Sequence, residues 1–272
     1  MPELPEVETI RRGLDPFVVG RRIERAVIRE TRLRWPVEAD LATRLEGQAV
    51  TGTGRRGKYL WLTLAGGDRL IVHLGMSGRL FVLDPATPLR KHDHLDLQLG
   101  ADRLLRFNDP RRFGAVLLWP GGQDHHPLLD HLGPEPFSEA FDGEHLYRLS
   151  RGRSAAVKTF IMDGAVVVGA GNIYAAESLF RAGIRPQKPA GRLNRQQCAR
   201  LAQCIREVLA EAVEQGGTTL RDFAGAHGEA GYFQQDLYVY GREGQPCRVC
   251  GSRIRGQRLG QRASCWCPRC QR

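Results

Sequence analysis

The sequence predicts an α+β protein: an N-terminal helix, a β-sandwich or barrel, a helical half and a cysteine-rich hairpin. Three observations support this prediction. Short alternating apolar runs such as KYLWLTL and RLIVHLG fill residues 17–120, helical periodicity begins near residue 144, and paired cysteines close the chain. Short strands at regular spacing, separated by turn residues, are typical of sandwiches and barrels.

The chain opens with MPELPEVETIRRGL, which predicts a helix. Val7, Ile10 and Leu14 lie at helical spacing, and the acidic residues precede the arginines, as the helix dipole favours. Pro2 and Pro5 are compatible with a helix start, where a proline costs no hydrogen bond. On this interpretation the glutamates only decorate the helix surface.

A second interpretation gives Pro2 a chemical role. If Met1 is removed, Pro2 carries a free secondary amine, and both burial and the positive helix end favour its neutral form. A neutral amine is a nucleophile that forms a Schiff base with the aldehyde carbon of a sugar. The adjacent carboxyl group of Glu3 can then transfer protons. The pattern of residues leaves both interpretations open.

Two long helices are predicted in the second half of the chain. One begins after Asn194, which forms a capping-box pattern with Gln197, and runs to a pair of glycines. The other lies in GAGNIYAAESLF, with Asn172 at the expected N-cap, and the free amides of such a helix start can hold an anion. The GAGN motif resembles a dinucleotide-binding loop, but the third glycine and the βαβ context are missing.

Five of the seven cysteines lie in the last 26 residues. Two C-x-x-C pairs separated by sixteen residues supply four thiolates on two tight turns, which predicts a closed, structural zinc site. The expected ligands are Cys247, Cys250, Cys267 and Cys270. Two disulfides are the alternative, which a cytosolic location disfavours. Cys265 is surplus to the site, and Cys198 and Cys204 fit a helix core.

The charge of the chain favours a polyanionic partner. The net charge is +10, and residues 241–272 hold eight arginines against one acidic residue. The segment between the cysteine pairs predicts a hairpin that presents arginines, which suits phosphate groups. A solvated basic tail is the alternative interpretation. Only four lysines occur, so Lys58 in RRGKYLWL is a candidate for a site that requires a compact ammonium group instead of a guanidinium group.

The sequence indicates neither a membrane protein nor a secreted one. Its apolar runs are far shorter than a membrane span, and its N-terminal segment is acidic where a signal peptide is basic. We therefore expect a cytoplasmic protein whose first candidate partner is nucleic acid.

Eight motifs occur here in the order in which bacterial formamidopyrimidine-DNA glycosylases carry them. They are PELPEVET, HLGMSG, KHDH, NDPRRFG, GNIYAAESLF, GGTTLRDF, VYGREGQPC and the four-cysteine finger. The chain therefore resembles the formamidopyrimidine-DNA glycosylase/endonuclease VIII family over essentially its whole length. Endonuclease VIII relatives differ at the start and lack a counterpart of the DPRRFG loop, so the purine-repair branch is favoured.

The resemblance implies an organisation in four parts. These are a catalytic β-sandwich domain with its leading helix at 1–130, a linker at 131–148, a helix-two-turn-helix DNA-binding domain at 149–236 and a zinc finger at 237–272. A lid over the oxidised purine is implied at about 224–233, where the glycines suit mobility. The implied partner is double-stranded DNA with a damaged base, bound by a bacterial, cytoplasmic monomer that holds one zinc ion.

The resemblance also implies the catalytic residues. Pro2 attacks C1′ of the damaged nucleotide, and Glu3 acts as acid and base at the sugar ring. Glu6 holds the site together, and Lys58 contacts the phosphate near the lesion. Base excision followed by β- and δ-elimination leaves a single-nucleotide gap with phosphate ends.

DNA contacts follow from the needs of a base-flipping enzyme. The extruded base leaves a hole, which apolar wedges and a planar cation can fill. The resemblance assigns this task to Met76, Arg111 and Phe113, with Arg111 facing the orphaned cytosine. It assigns further DNA contacts, chiefly to phosphates, to His73, His92, Asn172, Tyr240 and Arg262.

Three residues depart from the family pattern: Gly164, Ala170 and Cys265. None belongs to the implied chemistry, and Gly164 is expected to loosen a helix by about 1 kcal/mol relative to alanine. Two other functions stay open. One is a glycosylase of the same fold that prefers oxidised pyrimidines, and the other is a catalytically silent zinc protein that binds DNA.

Overall fold

The computed structural model describes residues 2–216 and 237–272. Two compact units are present in the described residues: one comprises 2–129 with 215–216, and the other comprises 130–214 with 237–272. In the described part of the chain, no helix has the length and apolarity needed to cross a bilayer.

The first unit begins with helix α1, Leu4–Val18, as the sequence predicts. Glu3 occupies the N-cap and Pro5 lies in the first turn, where a proline displaces no helical hydrogen bond. The apolar stripe faces inward, since Val7 and Leu14 are buried in the core of this unit. The helix therefore starts directly after Pro2 and Glu3.

Two antiparallel sheets form the body of the first unit. Their order is β1-β6-β7-β5 in one sheet and β2-β3-β4-β8 in the other. The strands are β1 Ile23–Ile28, β2 Val50–Arg56, β3 Tyr59–Leu64, β4 Arg69–His73, β5 Arg79–Leu83, β6 Asp93–Leu99, β7 Arg103–Asn108 and β8 Ala115–Trp119. Apolar side chains of both sheets and of α1 share one core, so the sandwich is confirmed and the barrel was wrong. A short helix α2, Leu41–Leu45, packs against β1 and was not predicted.

The strand register brings three distant loops to one edge of the sandwich. His73 at the end of β4 pairs with Ala115 at the start of β8. In the other sheet, Asn108 at the end of β7 pairs with both Arg79 and Asp93, which begin β5 and β6. Antiparallel pairing places the end of one strand beside the start of its neighbour. Loops 74–78, 84–92 and 109–114 therefore meet, and they contain HLGMSG, KHDH and NDPRRFG.

The second unit consists of helices and the C-terminal hairpin. Its elements are α3 Pro127–Asp130 at the border with the first unit, α4 Gly143–Ser150, α5 Val157–Ile161, α6 Asn172–Ala182, a 3-10 turn Ala190–Arg192, α7 Arg195–Gly216, β9 Arg255–Leu259 and β10 Arg262–Trp266. Helix α4 starts inside the segment predicted as a linker. Gly164 lies in a turn after α5 and not in a helix, so the predicted helix penalty at Gly164 was wrong.

Helix α6 ends, and helix α7 begins, where the predicted caps place them. Gly183 ends α6 in the left-handed conformation, with φ of 73°. Asn194 Oδ1 accepts from the N–H of Gln197, and Gln197 Oε1 accepts from the N–H of Asn194, which confirms the capping box. The apolar faces of both helices are buried in one core, and Cys198 and Cys204 lie in it as small apolar residues.

Candidate functional site

The N-terminal end of α1 holds three of the predicted catalytic residues. Glu3 is only 2% exposed. Its backbone N–H donates to Oε2 of Glu6 at 2.7 Å, which is one half of a capping box. Pro2 is half-buried and directly precedes Glu3. A base or nucleophile at this position lies at the positive end of the helix dipole.

Glu8, which the helical pattern places on the surface, anchors α1 to the sandwich. Its carboxylate binds Arg11 and Arg12 at 2.8 Å each and Arg55 of β2 at 3.0 Å. Burial raises the pKa of Glu8, but the three guanidinium groups outweigh burial and lower the pKa to about 2. Helix α1, which follows Pro2 and Glu3, is therefore held to β2 by a charged group that stays ionised.

Lys58 lies in the two-residue turn of the β2–β3 hairpin. Gly57 takes the left-handed conformation, with φ of 57°, which such tight hairpin turns require. Arg55 Nη1 donates to the carbonyl oxygen of Gly57 at 3.0 Å. Since Arg55 also binds Glu8, one side chain connects the turn of Lys58 with helix α1.

His73 is a neutral hydrogen-bond donor at pH 7. Burial, and then the charges of Arg34 and Lys58, lower its pKa to about 4. The N–H of Gly75 donates to Nδ1 of His73 at 3.2 Å. A neutral ring that accepts at Nδ1 carries its proton on Nε2. His73 can therefore donate to a phosphate through Nε2, but it adds no positive charge.

Asp109 joins the three loops at the sandwich edge and was not singled out from the sequence. It is fully buried. Its carboxylate accepts from the hydroxyl of Ser77 at 2.6 Å and from the N–H of Gly114 at 2.7 Å. Its N–H donates to the carbonyl oxygen of His92 at 3.1 Å, and its own carbonyl oxygen lies 2.8 Å from Nε2 of His94. The sequence signal for Asp109 was only an aspartate before Pro-Arg-Arg, because its partners Ser77, His92 and His94 lie in other parts of the chain.

The three predicted gap-filling side chains occupy two loops in direct contact. Phe113 is 44% exposed, and the guanidinium carbon of Arg111 lies 4.7 Å from the centre of its ring. Met76 is half-buried in the neighbouring loop. A side chain at Gly75 would collide with the backbone of Phe113 and Gly114, so only glycine allows this contact. The structure thus brings Met76, Arg111 and Phe113 to the same edge.

His92 has an unusual backbone conformation. Its φ is 73°, which is rare outside glycine and costs free energy that the surrounding contacts must supply. Those contacts include the bond from the Asp109 N–H to the His92 carbonyl oxygen and the ring of His94, 6.2 Å away. The ring of His92 is half-buried at the edge that also carries His73.

In the second unit, Asn172 is the first residue of α6 and Gly171 is the N-cap, so the predicted N-cap was one residue late. Within the described residues, Oδ1 of Asn172 is buried and has no hydrogen-bond partner. Turning the amide by 180° would present its NH₂ group at the same place. A side-chain amide at a helix N-terminus is suited to an anion.

Glu177 fixes the segment that leads into the finger, and no sequence pattern pointed to this role. Glu177 is only 7% exposed. It accepts three backbone N–H groups, from Tyr238 at 2.8 Å, Val239 at 3.0 Å and Tyr240 at 2.8 Å. The position of Tyr240, a predicted DNA contact, is therefore set by the same helix that begins at Asn172.

Arg262 projects from the predicted hairpin, which the structure confirms as β9 and β10. It lines a cleft of about 380 Å³ together with Arg153, Lys158 and Asp163. Lys158 is almost fully buried, and its Nζ donates to the carbonyl oxygen of Ala263 at 3.0 Å. The hairpin that carries Arg262 is therefore attached to α5 through Lys158.

The four predicted metal ligands converge. Their Sγ atoms all lie within 4.8 Å of one another, and Cys265 is not among them. Two of the separations are 3.4 Å, between Cys250 and Cys267, and 3.9 Å, between Cys247 and Cys270. A tetrahedral ion with bonds of about 2.3 Å to sulfur has sulfur atoms about 3.8 Å apart. The cluster fits one structural zinc ion.

The predicted lid at 224–233 lies outside the described residues.

Three family models match the chain. The formamidopyrimidine-DNA glycosylase N-terminal domain matches residues 1–116, the formamidopyrimidine-DNA glycosylase H2TH domain matches 132–224, and the zinc finger found in FPG and IleRS matches 244–272. Together they match most of the chain.

Named relatives resemble the chain over its full length. A formamidopyrimidine-DNA glycosylase of Pseudomonas aeruginosa is 58% identical over 272 residues, which is all of both chains. A point mutant of the Lactococcus lactis FPG, solved in complex with DNA containing Fapy-dG, is 34% identical with a TM-score of 0.90 and full coverage of both chains. The wild-type Lactococcus lactis protein, solved with DNA containing an oxidised pyrimidine, has the same identity, coverage and TM-score.

Proposed function

This chain belongs to the formamidopyrimidine-DNA glycosylase family, and we propose that it excises oxidised purines such as 8-oxoguanine and formamidopyrimidines with Pro2 as its nucleophile. It is a DNA glycosylase of base-excision repair that also cleaves abasic sites. Its substrate, chromosomal DNA, places it in the bacterial cytoplasm at the nucleoid. The domain boundaries are also a proposal, made from the sequence: 1–130, 131–148, 149–236 and 237–272.

The chemistry proposed for Pro2 begins with the neutral amine. Its lone pair forms a bond to C1′ of the damaged nucleotide while the bond from C1′ to the base breaks, and the base leaves with the proton that the amine nitrogen gives up. Glu3 moves protons at the sugar ring, first to open it and then to remove the C2′ proton for β-elimination. Release of both phosphates by β- and δ-elimination leaves the gap, and hydrolysis frees Pro2.

Glu3 and Glu6 have different tasks in this proposal. The observation that supports the proposed function most directly is that Pro2 immediately precedes the buried Glu3 at the positive end of α1. Glu6 binds the Glu3 backbone N–H and so orients the start of the chain. Lys58 contacts the phosphate near the lesion from a turn that Arg55 connects to α1.

Met76, Arg111 and Phe113 fill the space that the extruded nucleotide leaves. Phe113 supplies an exposed apolar wedge, and Arg111 offers two N–H groups to the orphaned cytosine. The support for this assignment is that their loops touch at Gly75 and are joined by Asp109.

Further contacts to the DNA backbone are assigned to residues of both units: His73, His92, Asn172, Tyr240 and Arg262. His73 acts as a neutral donor, whereas Arg262 brings positive charge. The zinc ion has no part in the reaction, because its four cysteine ligands leave no open position, and it holds the hairpin in shape.

Borohydride trapping on DNA with an abasic site tests the role of Pro2. Pro2→Gly should cripple the covalent adduct, and Glu3→Gln should stop base removal. The control is Pro16→Ala, which changes an exposed proline of the same helix and should leave the adduct intact. Full excision by both active-site variants, or a retained Met1 in fully active enzyme by mass spectrometry, would refute the assignment.

A preference for oxidised pyrimidines is the second candidate, because the Lactococcus lactis relative has been solved with such DNA. Duplexes containing 8-oxoguanine or thymine glycol, compared at equal enzyme concentration, separate the two. We expect faster excision of 8-oxoguanine. Faster excision of thymine glycol would reverse the ranking without changing the role of Pro2.

A further inference from the structure

We propose that Arg34 is an additional contact to the phosphate backbone of bound DNA, beside the contacts proposed for His73 and Lys58. The inference rests on the proposed function, because it takes the sandwich edge around His73 as a DNA-binding surface. Neither the motifs of the sequence nor the implied family residues include Arg34.

The backbone of Arg34 is fixed to the loop that carries Phe113. Its N–H donates to the carbonyl oxygen of Gly114 at 3.0 Å. The same loop is held a second time, since Arg112 Nη1 lies 3.1 Å from Oε2 of Glu30. Residues 30–34 therefore run along the gap-filling loop, and Arg34 stands next to the wedge.

Arg34 is the arginine of this segment whose charge is not neutralised. Arg29 binds Asp96 at 2.7 Å, and Arg32 binds Glu30 at 2.9 Å. Arg34 is exposed, and in residues 2–216 and 237–272 no carboxylate lies within ion-pair distance of it. Its guanidinium carbon lies 4.7 Å from the ring centre of Trp35, which limits the freedom of the side chain. A restrained, uncompensated guanidinium costs little entropy when it binds a phosphate.

The charge of Arg34 acts at the site of a proposed phosphate contact. Arg34 and Lys58 both contribute, after burial, to the lowered pKa of His73, so their charges are close to its ring. His73 itself is neutral at pH 7. Beside His73, Lys58 and Arg34 therefore supply positive charge that a bound phosphate would meet. A DNA contact through His73 alone would leave the phosphate without a counter-charge.

The salt dependence of binding distinguishes this contact from a merely exposed arginine. Each phosphate neutralised by a cation contributes about 0.9 to the slope of log K against log salt concentration. We would measure the affinity for a duplex that contains a tetrahydrofuran abasic analogue at salt concentrations from about 50 to 200 mM, a range over which such slopes can be measured. The variants are Arg34→Gln, Arg34→Lys, Lys58→Gln and the control Arg32→Gln.

The control is matched in net charge, because Arg32→Gln removes one arginine two positions away that already pairs with Glu30. We expect Arg34→Gln to lower the slope by about 0.9, and Arg34→Lys and Arg32→Gln to keep the wild-type slope. Thermal unfolding of each variant confirms that it is folded.

Three outcomes would overturn the inference. An unchanged slope in Arg34→Gln with a lowered slope in Lys58→Gln rejects Arg34 and leaves the proposed function standing. Equal decreases of the salt slope in Arg34→Gln and Arg32→Gln mean that the arginines act through a diffuse electrostatic field and that Arg34 makes no specific phosphate contact. Unchanged slopes in both Arg34→Gln and Lys58→Gln reject the phosphate surface itself, and with it that part of the proposed function.

Discussion

The hydroxyl of Ser77 donates to Oδ1 of Asp109 at 2.6 Å, and this bond joins the loop of Met76 to the loop of Arg111 and Phe113. The two loops are more than thirty residues apart in sequence. They meet because β4 and β8 are hydrogen-bonded neighbours and because Asp109 is buried between them. Three side chains proposed to act on one gap in DNA are thus supported by one carboxylate.

Replacing Ser77 by alanine should weaken this connection. A hydrogen bond to a charged group contributes about 1.5–3 kcal/mol, so we expect Ser77→Ala to lower the free energy of unfolding by roughly that amount. Excision from duplex DNA should slow, while β-elimination at an abasic site in single-stranded DNA, which leaves no gap to fill, should change less. Urea denaturation and the two activity assays check this. Met76→Ala is the comparison, since it should impair duplex excision without the loss of stability.

The neutral state of His73 predicts a pH dependence of stability. Its pKa is about 4 in the folded protein against an ordinary value of 6.5, so the unfolded chain binds the proton more tightly. The contribution of neutral His73 to the free energy of unfolding is fully present above pH 6.5. It is lost as the pH falls toward 4, by up to about 1.4 kcal/mol per pH unit. Chemical denaturation of wild type and His73→Gln at several pH values measures it. The variant should lose this part of the slope, whereas His125→Gln, at an exposed histidine, should keep it.

Glu177→Gln tests how the finger is attached to α6. The glutamate accepts three N–H groups, but a glutamine has a single acceptor oxygen, and its NH₂ group faces a donor. At least one buried N–H then lacks a partner, at a cost of about 1–3 kcal/mol. We expect weaker DNA binding with zinc still bound, because the cysteines are untouched. Glu214→Gln, an exposed residue of α7, should behave as wild type in both measurements.

Zinc removal should unfold the finger and reduce DNA affinity, because zinc binding and folding of such a module are coupled. Two neighbouring cysteines provide the control. Cys267→Ser should lose zinc, whereas Cys265→Ser should retain one zinc ion, since its thiol lies outside the cluster. Metal analysis and binding titrations are sufficient. Normal DNA binding by fully chelated protein would contradict this prediction.

Features with a local cause could be predicted from the amino-acid sequence alone. Helix α1, the capping box of Asn194 and Gln197, the end of α6 at Gly183 and the zinc ligands all follow from spacing within a few residues or within one hairpin. Asn172 was predicted to be the N-cap of α6, but the N-cap is Gly171, one residue earlier. Such features are predictable because the residues that cause them lie next to each other in the chain.

The contacts between these elements, and the charge states that result, could be determined only from the tertiary structure. Asp109 joins three loops because antiparallel strands far apart in sequence pair at their ends, and no local pattern contains that pairing. Glu8 is an ionised anchor because Arg55 reaches it from another element, and His73 is neutral because burial and two cations surround it. Charge states and loop contacts of this kind depend on neighbours through space, so they arise only once the chain has folded.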